Sequence, residues 1–130
     1  MHYDLIIVGG GPAGIASALY AARQNLKFIL ITEKVGGLAN YVPELKTYLG
    51  YYYLTGYDLI QKFKEHIAKY KVKVREETVE RIEKKKNKFE VKTKVRIYTA
   101  KTLIVATGRR FKHLHIPGEE HYLGKGVSLC

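Results

Sequence analysis

The sequence predicts a single α/β domain built on a parallel β-sheet. Two short apolar runs enclose an alanine-rich helical stretch, a later region alternates apolar with charged residues, and a third apolar run follows it. The length of 130 residues suits one ordinary domain. With 46% hydrophobic and 27% charged residues, the chain is not disordered. Its apolar runs are far shorter than the roughly 20 residues of a membrane span, so we expect no membrane association.

The N-terminal part of the chain predicts a βαβ unit. Residues 3–8 (YDLIIV) are apolar almost throughout, which is typical of a strand buried on both faces. Residues 12–24 have apolar side chains at helical spacing, and Pro12 stands where the first turn of a helix tolerates proline. Residues 27–32 (KFILIT) form the second predicted strand. The crossover between the two strands should be right-handed.

The middle of the chain predicts a long loop, one helix and a short strand. Residues 33–56 are irregular and rich in glycine and tyrosine, and a loop of this length is usually functional. Apolar residues recur at helical spacing from Leu59 to Tyr70, with Thr55 or Asp58 available to cap the helix. A short strand begins at Val72.

The period of the pattern then changes to about two. Residues 79–83, 89–92 and 95–98 alternate apolar with charged side chains, which predicts a three-stranded antiparallel meander with one face in water. Residues 102–107 (TLIVAT) return to the pattern of a buried strand. From residue 116 onward the chain has the character of a linker.

The strongest functional signal is the glycine-rich turn at residues 9–14, which has the form G-x-G-x-x-G. It follows a predicted strand and opens a helix, and Glu33 ends the second strand about 20 positions later. Gly9 permits the tight turn, Gly11 lets a pyrophosphate approach the backbone, and Gly14 lets the helix pack closely. The helix N-terminus then holds the diphosphate, and Glu33 accepts hydrogen bonds from ribose hydroxyls. The alternative is a glycine turn without a ligand, but the context favours a dinucleotide.

Other patterns have plainer explanations. The net charge of +11 favours anionic partners, yet the basic residues of 81–96 alternate with apolar ones as on a solvated strand face, so we expect no nucleic-acid partner. The only cysteine, Cys130, excludes an internal disulfide framework. His113 and His115 share one face of an extended segment, but no further ligand completes a zinc-like set, so we expect no metal. Nothing signals export, which makes the cytoplasm the expected compartment.

Several segments along the whole chain resemble one family. After the second strand the layout departs from an NAD domain and is similar to the FAD domain of two-dinucleotide-binding flavoproteins. The segments are Gly10-Gly11-Pro12-Ala13-Gly14, Leu19-Tyr20-Ala21-Ala22-Arg23, Leu30-Ile31-Thr32, Gly36-Gly37-Leu38, Glu77-Thr78-Val79, Ala106-Thr107-Gly108, Ile116-Pro117-Gly118-Glu119 and Gly124-Lys125-Gly126-Val127-Ser128. In these segments the chain resembles the low-molecular-weight thioredoxin reductases, and Cys130 falls on the first cysteine of their redox-active Cys-x-x-Cys.

The resemblance implies a Rossmann-like FAD-binding domain, with helices on one side of a parallel sheet and the three-stranded meander on the other. Residues 1–115 would be the N-terminal portion of this domain, and residues 116–130 a linker to an NADPH-binding domain outside this chain. The family passes electrons from NADPH through FAD to the Cys-x-x-Cys and then to thioredoxin, as a homodimer. The 130 residues alone would be incomplete and would not turn over.

The resemblance also implies roles for individual residues. The FAD diphosphate would be contacted by Gly10, Gly11, Pro12 and Ala13, and the diphosphate and flavin would be flanked by Ala106, Thr107 and Gly108. The adenosine ribose would lie by Glu33 and Lys34, and the adenine would meet the backbone of Val79. The cofactor would be wrapped by Gly36 and Gly37. Leu38, where the family has glutamine, and Thr47, in a stretch that replaces Glu-Asn-x-Pro-Gly, would lie at the flavin end. Cys130 would exchange with the partner's disulfide as a thiolate.

Two alternatives remain open from the sequence. One is a ferredoxin–NADP reductase of the same architecture, which lacks the paired cysteines. The other is a stand-alone nucleotide-binding module with an adenine nucleotide as regulatory ligand.

Overall fold

The fold comprises six strands, two long helices and two short helical turns. The computed structural model of the protein describes residues 2–128. In chain order the elements are β1 (His2–Val8), α1 (Pro12–Arg23), β2 (Phe28–Thr32), a 3₁₀ helix (Gly37–Tyr41), α2 (Gly56–Lys69), β3 (Val74–Glu76), β4 (Val79–Lys85), β5 (Lys88–Thr93), β6 (Ile97–Val105) and α3 (Glu119–Tyr122). The predicted βαβ unit and the helix after the long loop are confirmed. Thr55 caps α2, because its hydroxyl accepts the Asp58 N–H at 3.1 Å.

All six strands belong to one sheet, in the order β3-β2-β1-β6-β5-β4. The four strands β3, β2, β1 and β6 are parallel to one another, whereas β5 is antiparallel to both of its neighbours, β6 and β4. At the carboxyl end of β1, Val8 pairs with Ile31 of β2 on one side and with Val105 of β6 on the other. The turn that follows β1 therefore lies between the ends of two neighbouring strands, where open α/β sheets bind their ligands.

One face of the parallel strands is covered by the helices. Leu5, Ile7 and Leu30 pack with Ala18 and Ala21 of α1 into a buried cluster. A second cluster, formed by Ile15, Val35 and Ile67, joins α1 to α2. The small alanines of α1 let the helix lie close to the sheet, and each fully buried leucine or isoleucine contributes about 1.5–3 kcal/mol.

The opposite face of the parallel strands is covered by the meander, as predicted. Val91 of β5 and Tyr98 of β6 pack with Ile6 and Ile29 in a third buried cluster. The meander reaches as far as the residue after β3, because the Tyr98 hydroxyl donates to the Glu77 carboxylate at 2.7 Å. Burial, followed by this bond, raises the pKa of Tyr98 to about 12. The carboxylate also accepts the Thr93 hydroxyl at 2.7 Å, and this bond is the largest cause that holds the pKa of Glu77 below its usual range.

The structure differs from the sequence prediction at the third meander strand. The predicted strands at residues 95–98 and 102–107 are one strand, β6, whose first half pairs with β5 and whose second half pairs with β1. Lys101 in the centre of β6 interrupts the apolar pattern. The strand accommodates it because its ammonium pairs with Asp4 at the surface at 2.7 Å. The predicted linker from residue 116 contains the one-turn helix α3. The longest helix, α2, has 14 residues, and no helix within residues 2–128 has the length and apolar character that a membrane crossing demands.

Candidate dinucleotide site

Three positions of the turn after β1 require glycine, because a Cβ there would collide with the backbone or with a buried side chain. Gly9 has a φ of +107°, and a Cβ there would lie 2.1 Å from the Ala106 carbonyl oxygen. A Cβ on Gly14 would lie 1.7 Å from the Gly9 carbonyl oxygen, and one on Gly10 would lie 2.7 Å from the Thr32 hydroxyl. These distances exclude any side chain. The predicted roles of Gly9 in the tight turn and of Gly14 in close packing are consistent with this geometry.

Gly11 differs from these three glycines because the space beside it is open. No atom of the described residues lies within 4 Å of the position that its Cβ would occupy. Gly11 is the N-cap of α1, and no side chain caps that helix end. Pro12 takes the first helical position, where the missing N–H costs nothing, and Pro12 and Ala13 are exposed. The first-turn amides therefore face an opening with the charge and geometry that suit an anion.

Thr32 connects this turn to the end of β2, and it was not predicted as a site residue from the sequence. Its buried hydroxyl accepts the Gly10 N–H at 2.9 Å and donates to the Lys34 carbonyl at 3.0 Å. The Gly36 N–H in turn donates to the Gly10 carbonyl at 2.7 Å. Two hydrogen bonds thus join the glycine turn to residues 32–36, and the bond from Thr32 to Lys34 holds the Thr32 hydroxyl in place. A hydroxyl at the end of an otherwise apolar strand was the available signal.

The second glycine pair forms the opposite wall of the opening. Gly36 has a φ of +99°, and a Cβ on Gly37 would lie 3.5 Å from the Gly11 Cα. Asn40 holds this segment, because its side-chain amide donates to the Val35 carbonyl at 2.9 Å and the Gly37 carbonyl at 3.0 Å. Asn40 is a second residue of the site that was not predicted from the sequence. Leu38 is half-buried in the 3₁₀ helix.

An ion pair marks the side of the turn where the ribose is expected. The Glu33 carboxylate pairs with the Arg110 guanidinium, which comes from the segment after β6. Both side chains are largely exposed. The exposed Lys34 ammonium lies 5.0 Å from the centre of the Tyr41 ring. Arg110 was not predicted from the sequence, since the contact spans distant parts of the chain.

The remaining predicted residues are divided between the turn and more distant places. The Ala106 N–H donates to the Val8 carbonyl at 2.7 Å, while Thr107 and Gly108 follow as an exposed segment beside the turn. Val79 begins β4, and its half-buried side chain packs on the core. Thr47 lies on an exposed loop closed by a bridge between Leu45 and Leu54, and no described hydrogen bond or ion pair links it to the glycine turn. Cys130 lies outside the described residues.

The histidines near the C-terminus surround a buried carboxylate. The Leu114 and His115 N–H groups donate to Glu119 at 3.0 and 2.7 Å, and His113 Nδ1 lies 3.4 Å from the same carboxylate. The bond from the Leu114 N–H, followed by that from His115, holds the pKa of Glu119 below its usual range. Across residues 2–128, no group of three or more histidine, cysteine or acidic side chains is placed to hold a metal ion.

Comparison with known proteins identifies the family to which this site belongs. The profile of the pyridine nucleotide-disulphide oxidoreductases matches residues 3–130. The chain belongs to this family. The match includes the glycine turn, the second glycine pair and the segment after β6.

Relatives within the pyridine nucleotide-disulphide oxidoreductases include thioredoxin reductases. The chain is 38% identical to a thioredoxin reductase of Treponema pallidum over 130 residues, which are 98% of this chain and 42% of that protein. The crystal structure of thioredoxin reductase from Streptococcus pyogenes superimposes with a TM-score of 0.83 and 39% identity, over 93% of this chain and 40% of that one. The crystal structure of a ferredoxin-flavin thioredoxin reductase from Clostridium acetobutylicum superimposes with a TM-score of 0.81 and 31% identity, over 97% of this chain and 44% of that one. These matches confirm the family resemblance and the fold class, and the chain spans less than half the length of each relative.

Proposed function

We propose that this chain is the FAD-binding portion of a thioredoxin-disulfide reductase-like flavoenzyme. The observation that carries the proposal is the open space at Gly11, enclosed by an uncapped helix end on one side and by Gly37 on the other. Backbone N–H groups at a helix N-terminus are a ready site for a diphosphate. The relatives and solved structures that match the chain over nearly its whole length support the same reading.

The residues around the turn fit the parts of FAD. The first-turn amides of α1, with Gly10, Pro12 and Ala13, would hold the diphosphate. Glu33 would accept hydrogen bonds from the adenosine ribose, with Lys34 beside it. Gly36 and Gly37 would close over the cofactor, and their positive φ values keep side chains out of that space. Ala106, Thr107 and Gly108 would flank the diphosphate towards the flavin, Val79 would meet the adenine, and Leu38 and Thr47 would belong to the flavin end.

The bound flavin would supply the two-electron chemistry, which the side chains of residues 2–128 do not provide themselves. In the proposed enzyme the electron source is NADPH, and the electrons pass to a Cys-x-x-Cys that begins at Cys130 and then to thioredoxin. A cysteine attacks a disulfide as its thiolate. Because the electrons would come from the flavin and go to the partner protein, Cys130 would need access to both. We further propose that the intact enzyme is a cytoplasmic homodimer.

Activity of the proposed enzyme would need more chain than these 130 residues. The matched relatives are more than twice as long. Ile104 and Val105 lie in the half of β6 that pairs with β1 alone among the described strands, and they are 37% and 60% exposed. Apolar side chains at such a position are normally covered. A further segment of the enzyme would cover them and complete the cofactor pocket, and the 130 residues alone would bind FAD weakly without turnover.

The test uses Gly11→Ala. Gly11 has a φ of −73°, which alanine adopts freely, so the variant should fold as well as the wild type. Its methyl group would project into the space assigned to the diphosphate. We expect the wild-type protein to bind FAD, seen as flavin absorbance and quenched flavin fluorescence, and Gly11→Ala to lose at least about ten-fold in affinity. Ala16→Ser, on the exposed face of the same helix, is the matched control and should bind normally.

The alternatives are distinguished by ligand binding and by the natural sequence beyond Cys130. A protein that binds ADP tightly but stays colourless with FAD would be a nucleotide-binding module and would contradict the proposal. A natural sequence without cysteine three positions beyond Cys130 would favour the ferredoxin–NADP reductase type instead.

A further inference from the structure

The ion pair between Glu33 and Arg110 spans the mouth of the glycine turn. Glu33 follows β2 and Arg110 follows β6, while the turn follows β1, the strand between them. The turn touches both flanking segments. A Cβ on Gly9 would meet the Ala106 carbonyl, and the Gly10 N–H is bonded to Thr32. A guanidinium that reaches from the segment after β6 to Glu33 after β2 therefore crosses the end of β1, where the glycine turn begins.

Arg110 is the cation best placed for this position. The neighbouring Arg109 guanidinium lies 5.8 Å from the centre of the Phe111 ring, and the Lys34 ammonium lies over the Tyr41 ring. The Arg110 side chain is 80% exposed and that of Glu33 is 60% exposed. An ion pair this open to water is weak and is readily exchanged for a better one.

A bound dinucleotide would offer both partners such an exchange. Ribose hydroxyls can donate to the Glu33 carboxylate and replace the guanidinium there. The guanidinium is then free for phosphate oxygens, which match its planar donors and can accept two parallel hydrogen bonds. The helix end supplies only partial charges to the diphosphate, whereas Arg110 would add a full positive charge.

We propose that Arg110 is a specificity residue for the diphosphate of the cofactor. In the free protein it holds Glu33, and in the complex it pairs with the phosphates while Glu33 holds the ribose. The proposal rests on the proposed function, since it assumes a dinucleotide at this turn. It adds a side-chain contact to the diphosphate, which the helix end would otherwise hold by backbone groups, and it predicts that ligands with the diphosphate gain an affinity that adenosine does not.

The experiment measures binding of FAD, ADP and adenosine to the full-length gene product by calorimetry at several salt concentrations. Arg110→Ala should weaken FAD and ADP about ten-fold and flatten the salt dependence of their binding, because a charge-assisted contact to phosphate is lost. Binding of adenosine should not weaken, because Arg110 competes with the ribose for Glu33 and makes no contact with adenosine itself. Arg109→Ala removes the same charge one residue away and should alter ADP binding less than two-fold. Both arginines are exposed, so the variants should fold.

Three results with the variants would overturn the proposal. Arg110→Ala could bind ADP as tightly as the wild type, or more tightly if the guanidinium only competes with the ribose. Arg109→Ala could weaken binding equally, which would indicate a general effect of charge. Adenosine could lose as much affinity as ADP, which would assign the effect to Glu33 and the ribose. A wild-type protein that binds ADP but not FAD would contradict the proposed flavoenzyme while leaving the ADP comparison valid, and one that binds neither would refute both proposals.

Discussion

The hydroxyl of Thr32 offers the sharpest test of how the site is built. It is buried, accepts the Gly10 N–H at 2.9 Å and donates to the Lys34 carbonyl at 3.0 Å. Thr32→Val keeps the shape of the side chain and removes both bonds. Each bond contributes about 1 kcal/mol, and a buried N–H left without an acceptor costs about 1–3 kcal/mol, so the free energy of unfolding should fall by about 2–4 kcal/mol.

Two assays are used: urea denaturation measures the stability of each variant, and a separate titration of the folded protein measures its affinity for FAD. We expect a lower midpoint with an unchanged m-value, together with weaker FAD binding because the Gly10 segment is no longer held against β2. Thr32→Ser restores the hydroxyl and loses one buried methyl, so it should lose only about 1 kcal/mol and recover binding. Thr102→Val is the matched control, since its exposed hydroxyl donates only to the Asp4 carbonyl at 2.7 Å. Equal losses of stability in Thr32→Val and Thr102→Val would refute the reasoning.

Three further predictions concern Gly14 of the turn, the Glu77 carboxylate and the Tyr98 hydroxyl. Gly14→Ala should cost more than about 3 kcal/mol by denaturation, unlike Gly11→Ala, because its methyl would collide with the Gly9 carbonyl; equal stability of the two variants would contradict this. Glu77 has a lowered folded-state pKa, so its contribution should be present above about pH 4.5 and lost as the pH falls, and Glu77→Gln should flatten the acid limb of a stability–pH curve. Tyr98 has a folded-state pKa of about 12 instead of 10, so stability should fall between pH 10 and 12, and Tyr98→Phe should reduce that fall.

The glycine turn was predictable because its requirements are local. Gly9 must adopt a positive φ, Gly14 must avoid the carbonyl oxygen five residues earlier, and both constraints fix the spacing of the motif within one turn. The burial of the strands was predictable for a similar reason, since an apolar run without alternation requires cover on both faces. The meander followed from the change of period, and its place on the opposite face of the sheet came from the family resemblance.

The polar contacts around the turn depend on segments that meet only in the folded protein. Thr32 and Arg110 were not identified as site residues because their partners, Gly10 and Glu33, come from other strand ends. Asn40 was missed for a different reason, since its partners Val35 and Gly37 are close in sequence but lie in a loop without a periodic pattern. The continuity of β6 was missed for a related reason. A lysine in mid-strand is typical of a turn or an edge, and only the carboxylate of Asp4 on the neighbouring strand explains it.

The position of β6 has a consequence for how the protein matures on the ribosome. β1 is synthesised before β6, its partner on one side, and the two are far apart in the sequence, with His2 opposite Thr99. Long-range pairing of this kind slows folding, because a large loop must close before the contact forms. Until residue 105 has left the exit tunnel, β1 has an open edge that can recruit foreign strands. A pause in translation shortly before this point would therefore raise the risk of aggregation, whereas one shortly after it would not.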